Sequence, residues 1–154
     1  MDEALQVIAL LKAKGLTLAT AESLTDGMLG QLLTGVSGSS AVYRGGVISY
    51  CNAVKHRLLG VEREALDTLG AVSEPVARQM AQGARAALQA DIALSTTGIA
   101  GPNSDETGKP VGLVYVGLAT AQTTRVLELR LQGDRDTIRR ESCRQALQLL
   151  LETL

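Results

Sequence analysis

Two clusters of polar residues, each at the end of a short apolar run, constrain the fold of this chain most. The cluster 20–27 begins where the apolar run 16–21 ends, and the cluster 49–55 begins at the end of the run 42–50. Runs of this length are typical of buried strands, and the residues after each cluster have helical spacing. Both clusters are therefore predicted at strand-to-helix junctions of an α/β fold, where ligands bind beyond the carboxyl ends of strands.

The remaining pattern predicts one mixed sheet between layers of helices. Helices are predicted at 2–14, 28–33, 52–59, 62–69, 73–89 and from 134 onward, and strands at 16–21, 42–50, 91–97, 111–120 and 123–131. The last two strands alternate across a tight connection, which predicts an antiparallel hairpin. Gly45-Gly46 predicts a bulge or a close backbone approach within the second strand. Ser73 and Asp134 are predicted to cap the helices that they precede.

The composition is that of an ordinary globular domain. The 154 residues are 45% hydrophobic and 20% charged, so we expect a single domain, 1–154. With three tyrosines and no Phe or Trp, the core must be aliphatic, and few side chains are available to stack on bases. The net charge of −1 provides no basic surface. Both observations argue against nucleic acid as the main partner.

Sequence features that mark membrane, secreted or metal-binding proteins are missing. No run approaches the ~20 apolar residues of a membrane span, and the start Met1-Asp2-Glu3 lacks the cationic region of a signal peptide. Two cysteines and one histidine provide neither a disulfide framework nor zinc-ligand spacing. We therefore expect a cytoplasmic protein without a membrane partner, a metal or a cofactor.

Ser23, Tyr50 and Lys55 are candidate catalytic residues for acyl transfer. Because the only histidine, His56, is not needed in this set, a serine–lysine arrangement is favoured over a Ser-His-Asp site. Ser23 would be the nucleophile, Lys55 the base and Tyr50 a proton carrier. Lys55 must be buried or face another cation so that its pKa falls toward neutrality. Taken singly, the three residues are also compatible with a helix cap, an edge-of-core tyrosine and a solvated surface charge.

Backbone amides near these residues are candidates for anion binding. The amides of 25–27, at a helix start, could hold an oxyanion. The turn 98–102 could bring amides against a phosphate or carboxylate, although a plain tight turn explains it equally well. Arg135 could contact a phosphate or be a solvated charge, and Glu22 could orient Lys55 or satisfy backbone donors. The chain contains neither GxGxxG nor a Walker A loop, and neither SxxK nor GxSxG.

Five motifs resemble those of the CinA C-terminal domain family. They are Ala21-Glu22-Ser23-x-Thr25-x-Gly27, Gly46-Val47-Ile48-Ser49-Tyr50-x-Asn52-x-x-Lys55, Gly70-Ala71-Val72-Ser73-Glu74-Pro75, Gly98-Ile99-Ala100-Gly101-Pro102 and Gly133-Asp134-Arg135. The match covers essentially the whole chain, in order and at the expected spacings, and the chain is similar to the stand-alone nicotinamide-nucleotide amidases of that family. Longer members carry an additional N-terminal domain, for which this sequence has no room.

The resemblance implies a fold, a reaction and a site. The fold is a three-layer α/β/α sandwich with a mixed, mostly parallel sheet. The reaction is hydrolysis of nicotinamide mononucleotide (NMN) to nicotinic acid mononucleotide and ammonia, a step of NAD salvage that needs no cofactor. The family's catalytic serine, tyrosine and lysine fall on Ser23, Tyr50 and Lys55, and a homodimer is expected. Together with the turn residues above, the predicted substrate-binding set is Glu22, Thr25, Gly27, Asn52, Ser95, Gly98, Ala100, Gly101 and Arg135.

The chain departs from the family pattern at three positions, which leave other functions open. Leu24 stands where cysteine is frequent, Asp26 replaces the first glycine of a pair, and Cys51 replaces a serine. Asp26 could hinder a phosphate-bearing substrate, and Cys51 could remove a hydrogen bond. The second hypothesis is therefore a nucleotide-binding module that does no chemistry. A third is an amidase for a different small carboxamide.

Overall fold

The computed structural model describes residues 2–154. Its helices are α1 (Asp2–Lys14), α2 (Met28–Thr34), α3 (Asn52–Leu59), α4 (Arg63–Thr68), α5 (Glu74–Ala87) and α6 (Arg135–Thr153). Its strands are β1 (Leu18–Glu22), β2 (Tyr43–Ile48), β3 (Ile92–Gly98), β4 (Leu113–Ala119) and β5 (Thr124–Arg130). Each helix and strand predicted from the sequence is present, with ends shifted by a few residues.

The five strands form one mixed sheet in the order β2-β1-β3-β4-β5. Strand β1 lies in the middle of a parallel trio, since it pairs parallel with both β2 and β3. Strand β4 pairs antiparallel with β3 and β5, and the predicted β4–β5 hairpin is confirmed. Four strands thus point one way and β4 runs against them. The mixed, mostly parallel sheet is confirmed.

Helices cover both faces of the sheet and complete the three-layer α/β/α fold. On one face, α1, α2 and α6 pack a core that includes Leu11, Leu33 and Leu147. On the other face, α3, α4 and α5 pack a second core around Leu59 and Met80. The buried side chains of both cores are aliphatic, as the shortage of aromatic residues predicted. None of the helices among residues 2–154 is long and apolar enough to cross a bilayer.

Glycines allow two close approaches that position the later site. The β1–β2 register slips by one residue at Arg44, and a Cβ on Gly46 would collide with the Thr20 side chain. The bulge and the close approach predicted for Gly45-Gly46 are thus both present. At Gly83 in α5, a Cβ would overlap the backbone carbonyl of Leu59. The end of α3 therefore rests directly on the backbone of α5.

The two predicted helix caps have different outcomes. Asp134 caps α6 as expected, since its carboxylate accepts the Thr137 amide at 2.9 Å. Ser73 occupies the cap position of α5, but its hydroxyl makes no capping bond and donates instead to the Gly70 carbonyl at 2.9 Å. The hydroxyl therefore holds the loop before α5 and does not satisfy the helix amides.

Candidate active site

A polar cleft of about 490 Å³ lies beyond the carboxyl ends of β1, β2 and β3. Ser23 and Leu24 line it after β1, Tyr50 and Lys55 line it after β2, and the turn 98–101 lines it after β3. The topology explains this convergence, because neighbouring parallel strands end at the same edge of a sheet. The two polar clusters of the sequence therefore meet in one cavity.

The Lys55 ammonium group contacts the Ser23 hydroxyl directly. Lys55 Nζ lies 2.9 Å from Ser23 Oγ, and it also donates to the carbonyls of Ser49 at 2.5 Å and Tyr50 at 3.3 Å. The Lys55 side chain is 1% exposed and Ser23 is 8% exposed. The amine is therefore held by two backbone carbonyls in a fixed position against the alcohol.

The surroundings of Lys55 make it easier to deprotonate than an exposed lysine. Its position one turn into α3 points the side chain into the protein, and no carboxylate among residues 2–154 forms an ion pair with it. Burial lowers the pKa of Lys55 to about 8, although the nearby Cys51 opposes this shift. About a tenth of the lysine is then a free amine at pH 7. Such an amine can accept a proton from Ser23.

Tyr50 lies at the cleft but contributes its backbone rather than its hydroxyl. The Tyr50 carbonyl accepts from Lys55, while its side chain is 63% exposed. Within the part of the chain described, the Tyr50 hydroxyl has no hydrogen-bond partner, although the residue lines the cavity. Its role as a proton carrier therefore stays a prediction.

Glu22 organises the start of α2 and does not contact Lys55. Its carboxylate is 2% exposed and accepts four hydrogen bonds. The donors are the Thr25 hydroxyl at 2.6 Å and the amides of Gly27, Leu29 and Gly30 at 3.2, 2.9 and 3.0 Å. Of the two interpretations given to Glu22, the satisfaction of backbone donors is the one observed.

Replacing Glu22 by Gln should destabilise the fold substantially. One carboxylate oxygen becomes an NH₂ group that faces amide donors, so at least one buried donor loses its acceptor. We expect a loss of about 2–3 kcal/mol in the free energy of unfolding. For a chain of this size, that corresponds to a fall in Tm of roughly 4–12 °C. Thermal unfolding should show this shift, whereas the exposed Glu152→Gln should leave Tm unchanged; equal Tm values would contradict the assignment.

The predicted substrate-binding residues divide into two groups. Those that line the cleft are Asn52, Gly98, Ala100, Gly101 and Arg135. Those outside its lining are Glu22, Thr25, Gly27 and Ser95. Ser95 donates to the Ala77 carbonyl of α5 at 2.7 Å, and Thr25 shares its hydroxyl with Glu22 and Thr96. The hydroxyls of Ser95 and Thr25 therefore make hydrogen bonds within the protein and do not face the cleft.

The prediction that the amides of 25–27 hold an oxyanion is wrong for two of the three positions. The Asp26 amide donates to the Ser23 carbonyl at 3.2 Å, and the Gly27 amide donates to Glu22. The Thr25 residue is fully buried and does not line the cleft. The Ser23 carbonyl and the Glu22 carboxylate thus each occupy one of the amides that were predicted to face the substrate.

The three departures from the family pattern do not obstruct the cleft. Leu24 lines the cavity and packs in the apolar core. Asp26 is exposed, does not line the cavity and has φ of +45°, a left-handed conformation that Asp adopts more readily than most residues. Cys51 precedes α3 with an exposed thiol that makes no capping hydrogen bond. The charge expected to hinder a phosphate is therefore outside the cavity.

Arg139, which was not predicted from the sequence, reaches from α6 to the loop after β1 that carries Ser23. Its guanidinium donates to the carbonyls of Leu24 at 2.9 Å and Thr25 at 3.2 Å. Arg135, one turn earlier on the same helix, donates to the Gly101 carbonyl at 2.7 Å. The sequence signal for Arg139 is its spacing of four residues from Arg135, which places both side chains on one face of a helix. Helix α6 thus holds the loop after β1 and the turn after β3 through hydrogen bonds from these two arginines.

Comparison with known proteins agrees with the fold and the motifs. The model of the CinA C-terminal domain matches residues 2–154. The chain belongs to the CinA C-terminal domain family. Among its relatives are CinA-like proteins of Trichormus variabilis, 53% identical over 148 residues, and of Gloeobacter violaceus, 50% identical over 144 residues. These alignments cover 94% and 92% of this chain but 36% and 34% of the relatives.

Solved CinA structures have the same fold. A CinA superfamily protein of Escherichia coli aligns with a TM-score of 0.96 at 32% identity, covering 99% of this chain and 88% of that one. A competence/damage-inducible protein of Agrobacterium tumefaciens aligns with a TM-score of 0.94 at 39% identity, covering 98% and 93%. The chain spans about a third of the length of the curated CinA relatives that it matches. It therefore corresponds to their CinA C-terminal domain.

Proposed function

We propose that this CinA domain is a serine–lysine amidase that converts nicotinamide mononucleotide to nicotinic acid mononucleotide and ammonia. The observation that carries the proposal is the contact of 2.9 Å between Lys55 Nζ and Ser23 Oγ in a cleft at the strand ends. A buried amine with a pKa of about 8 next to an alcohol is a base–nucleophile pair. The family resemblance of the motifs supplies the substrate.

The proposed reaction proceeds through an acyl-enzyme. Neutral Lys55 takes the Ser23 proton while Ser23 Oγ attacks the carboxamide carbon, and the C=O electron pair moves to the oxygen. The carbonyls of Ser49 and Tyr50 hold the resulting ammonium in place. Lys55 then returns the proton to the leaving nitrogen as the C–N bond breaks and ammonia departs. Water, deprotonated by the same amine, hydrolyses the ester and restores Ser23.

Features of the cleft agree with a small, polar substrate. A volume of about 490 Å³ falls in the usual range of small-molecule sites. Arg135 and the turn 98–101 line the same cavity as the reacting pair. Across residues 2–154, no group of His, Cys, Asp or Glu is arranged to hold a metal ion. We propose pyridine nucleotide as the partner, and a homodimer as the assembly in the cytoplasm.

Ammonia release from NMN tests the proposal. Turnover with NMN, and a much slower reaction with the unphosphorylated riboside, would support a nucleotide amidase. Faster turnover of the riboside or another carboxamide would favour the third hypothesis. A saturable rise in Tm with NMN but no ammonia would favour the binding module. The position of Asp26 outside the cleft removes the main reason for that module.

The rate should rise with pH through the titration of Lys55. Burial lowers the pKa of Lys55 to about 8, so the reactive amine loses its proton as pH rises through that value. We expect log(kcat/KM) to rise by about one per pH unit below pH 8 and to level off above it. Initial rates of ammonia release between pH 6 and 9.5 measure this profile. A flat profile from pH 6 to 8 would contradict the role of Lys55.

A further inference from the structure

The amide directly after the nucleophile is buried at the cleft and has no acceptor. Three nearby amides are engaged: Ser23 donates to the Thr96 carbonyl at 3.0 Å, Asp26 to the Ser23 carbonyl, and Gly27 to Glu22. The Thr25 amide also has no acceptor among residues 2–154, but Thr25 is fully buried and does not line the cavity. Within residues 2–154, the Leu24 amide has no acceptor, although Leu24 is 4% exposed and lines the cavity. Buried amides without a partner are uncommon in folded proteins. This donor is available to a ligand.

The two peptide groups that flank Leu24 are both anchored through their carbonyls. The Ser23 carbonyl accepts from the Asp26 amide at 3.2 Å. The Leu24 carbonyl accepts from Arg139 Nε at 2.9 Å, and a second guanidinium nitrogen reaches the Thr25 carbonyl at 3.2 Å. Because a peptide group is planar, fixing its carbonyl also fixes its amide. The Leu24 N–H shares its plane with the Ser23 carbonyl, so the Asp26 amide orients it. Arg139 holds the next peptide group, which joins the Leu24 carbonyl to the Thr25 N–H, and so restrains Leu24 from its other side.

Arg139 acts at a distance from the cavity. It does not line the cleft, and its guanidinium is directed at backbone carbonyls of the loop after β1 that carries Ser23. Its partners lie more than 110 residues earlier in the chain, so the contact joins α6 to the loop after β1. A rigid fork with two donors suits two adjacent carbonyls better than a single ammonium would.

We propose that the Leu24 amide is an oxyanion donor and that Arg139 is the positioning residue that holds the loop carrying it. The inference rests on the proposed amidase function. When the Ser23 Oγ–carbon bond forms, the electron pair of the carbonyl moves to its oxygen and the Ser23 proton moves to Lys55. The Leu24 N–H then stabilises the negative oxygen. In the α/β-hydrolases, the amide following the nucleophile has the same role.

The test compares Arg139→Gln and Arg139→Lys with Arg140→Gln. Arg140 lies next on α6, is exposed and pairs only with Asp136 at 2.7 Å, so it is a matched control. Two rates are measured: ammonia release from NMN, and covalent labelling of Ser23 by a fluorophosphonate. The second rate reports the nucleophile and its oxyanion donor without requiring that NMN is the substrate. Tm is measured for every variant.

Arg139→Gln should lower kcat by about 10- to 100-fold with KM changed less than about 2-fold, because only the transition state uses the donor. Labelling of Ser23 should slow by a similar factor. Arg139→Lys should lie between Gln and the wild type, since one ammonium replaces a two-donor fork. Arg140→Gln should match the wild type in both rates.

Several results would overturn the inference. Labelling and kcat of Arg139→Gln equal to the wild type would refute it while leaving the amidase proposal intact. Wild-type labelling without ammonia from NMN would refute the proposed substrate alone, and the labelling ratios would still decide the role of Arg139. If Arg139→Gln does not fold, wild-type rates in Arg139→Lys refute the inference. A wild-type protein that neither labels nor turns over refutes both proposals.

Discussion

Ser23→Ala is expected to lower ammonia release from NMN by about a thousand-fold or more. The substitution removes the hydroxyl that contacts Lys55 Nζ at 2.9 Å, and with it the proposed covalent intermediate. The fold should persist, because Ala is smaller than Ser and creates no steric clash at this buried position, which is 8% exposed. Steady-state ammonia assays measure the loss, and a thermal shift with NMN shows whether binding remains.

The matched control is Ser40→Ala, at an exposed serine outside the cleft. Its turnover should equal that of the wild type. Turnover of Ser23→Ala within about tenfold of the wild type would contradict nucleophilic catalysis by Ser23. The cleft would then act through a water molecule activated by Lys55, without an acyl-enzyme.

Lys55→Met should cause a loss of similar size, again about a thousand-fold or more. Met approximates the length and volume of the lysine stem, so the cavity left in the protein is small. The substitution also removes an ammonium whose burial is unfavourable, which offsets the loss of its hydrogen bonds to Ser49 and Tyr50. We therefore expect Tm to change by only a few degrees while activity disappears.

The control for this prediction is Lys14→Met, on the exposed end of α1. Ammonia release and Tm are measured for both variants across pH 6 to 9.5. Any activity left in Lys55→Met should lack the rise toward pH 8. Near-normal turnover would show that another group accepts the Ser23 proton.

The sequence predicts the fold well because local signals and tertiary packing agree. The apolar runs identify the strands, and the glycines that end α3 and follow α4 mark helix ends. Ser23 and Lys55 meet because neighbouring parallel strands end at the same edge of a sheet. Ser23 comes just after β1, and Lys55 comes shortly after β2. The pair depends only on β1 and β2 being neighbouring parallel strands.

Other parts of the site depend on facts that the sequence does not carry. Strand β3 is buried on both faces, so alternation does not reveal that Ser95 faces α5 rather than the cleft. The role of Glu22 depends on where α2 begins, and a shift of a few residues changes which amides it accepts. The contact of Arg139 with the loop after β1 requires the packing of α6 against β3 and β4, which joins distant parts of the chain.

The direct packing of α3 on α5 at Gly83 has a consequence for how the sequence of this protein can vary. Any larger residue at Gly83 would push α3 outward at Leu59, and Lys55 moves with the same helix. A displacement of about 1 Å is enough to weaken proton transfer severely. A substitution at Gly83 can thus abolish the proposed amidase activity while every residue of the cleft is retained. A relative with intact motifs is therefore not necessarily active.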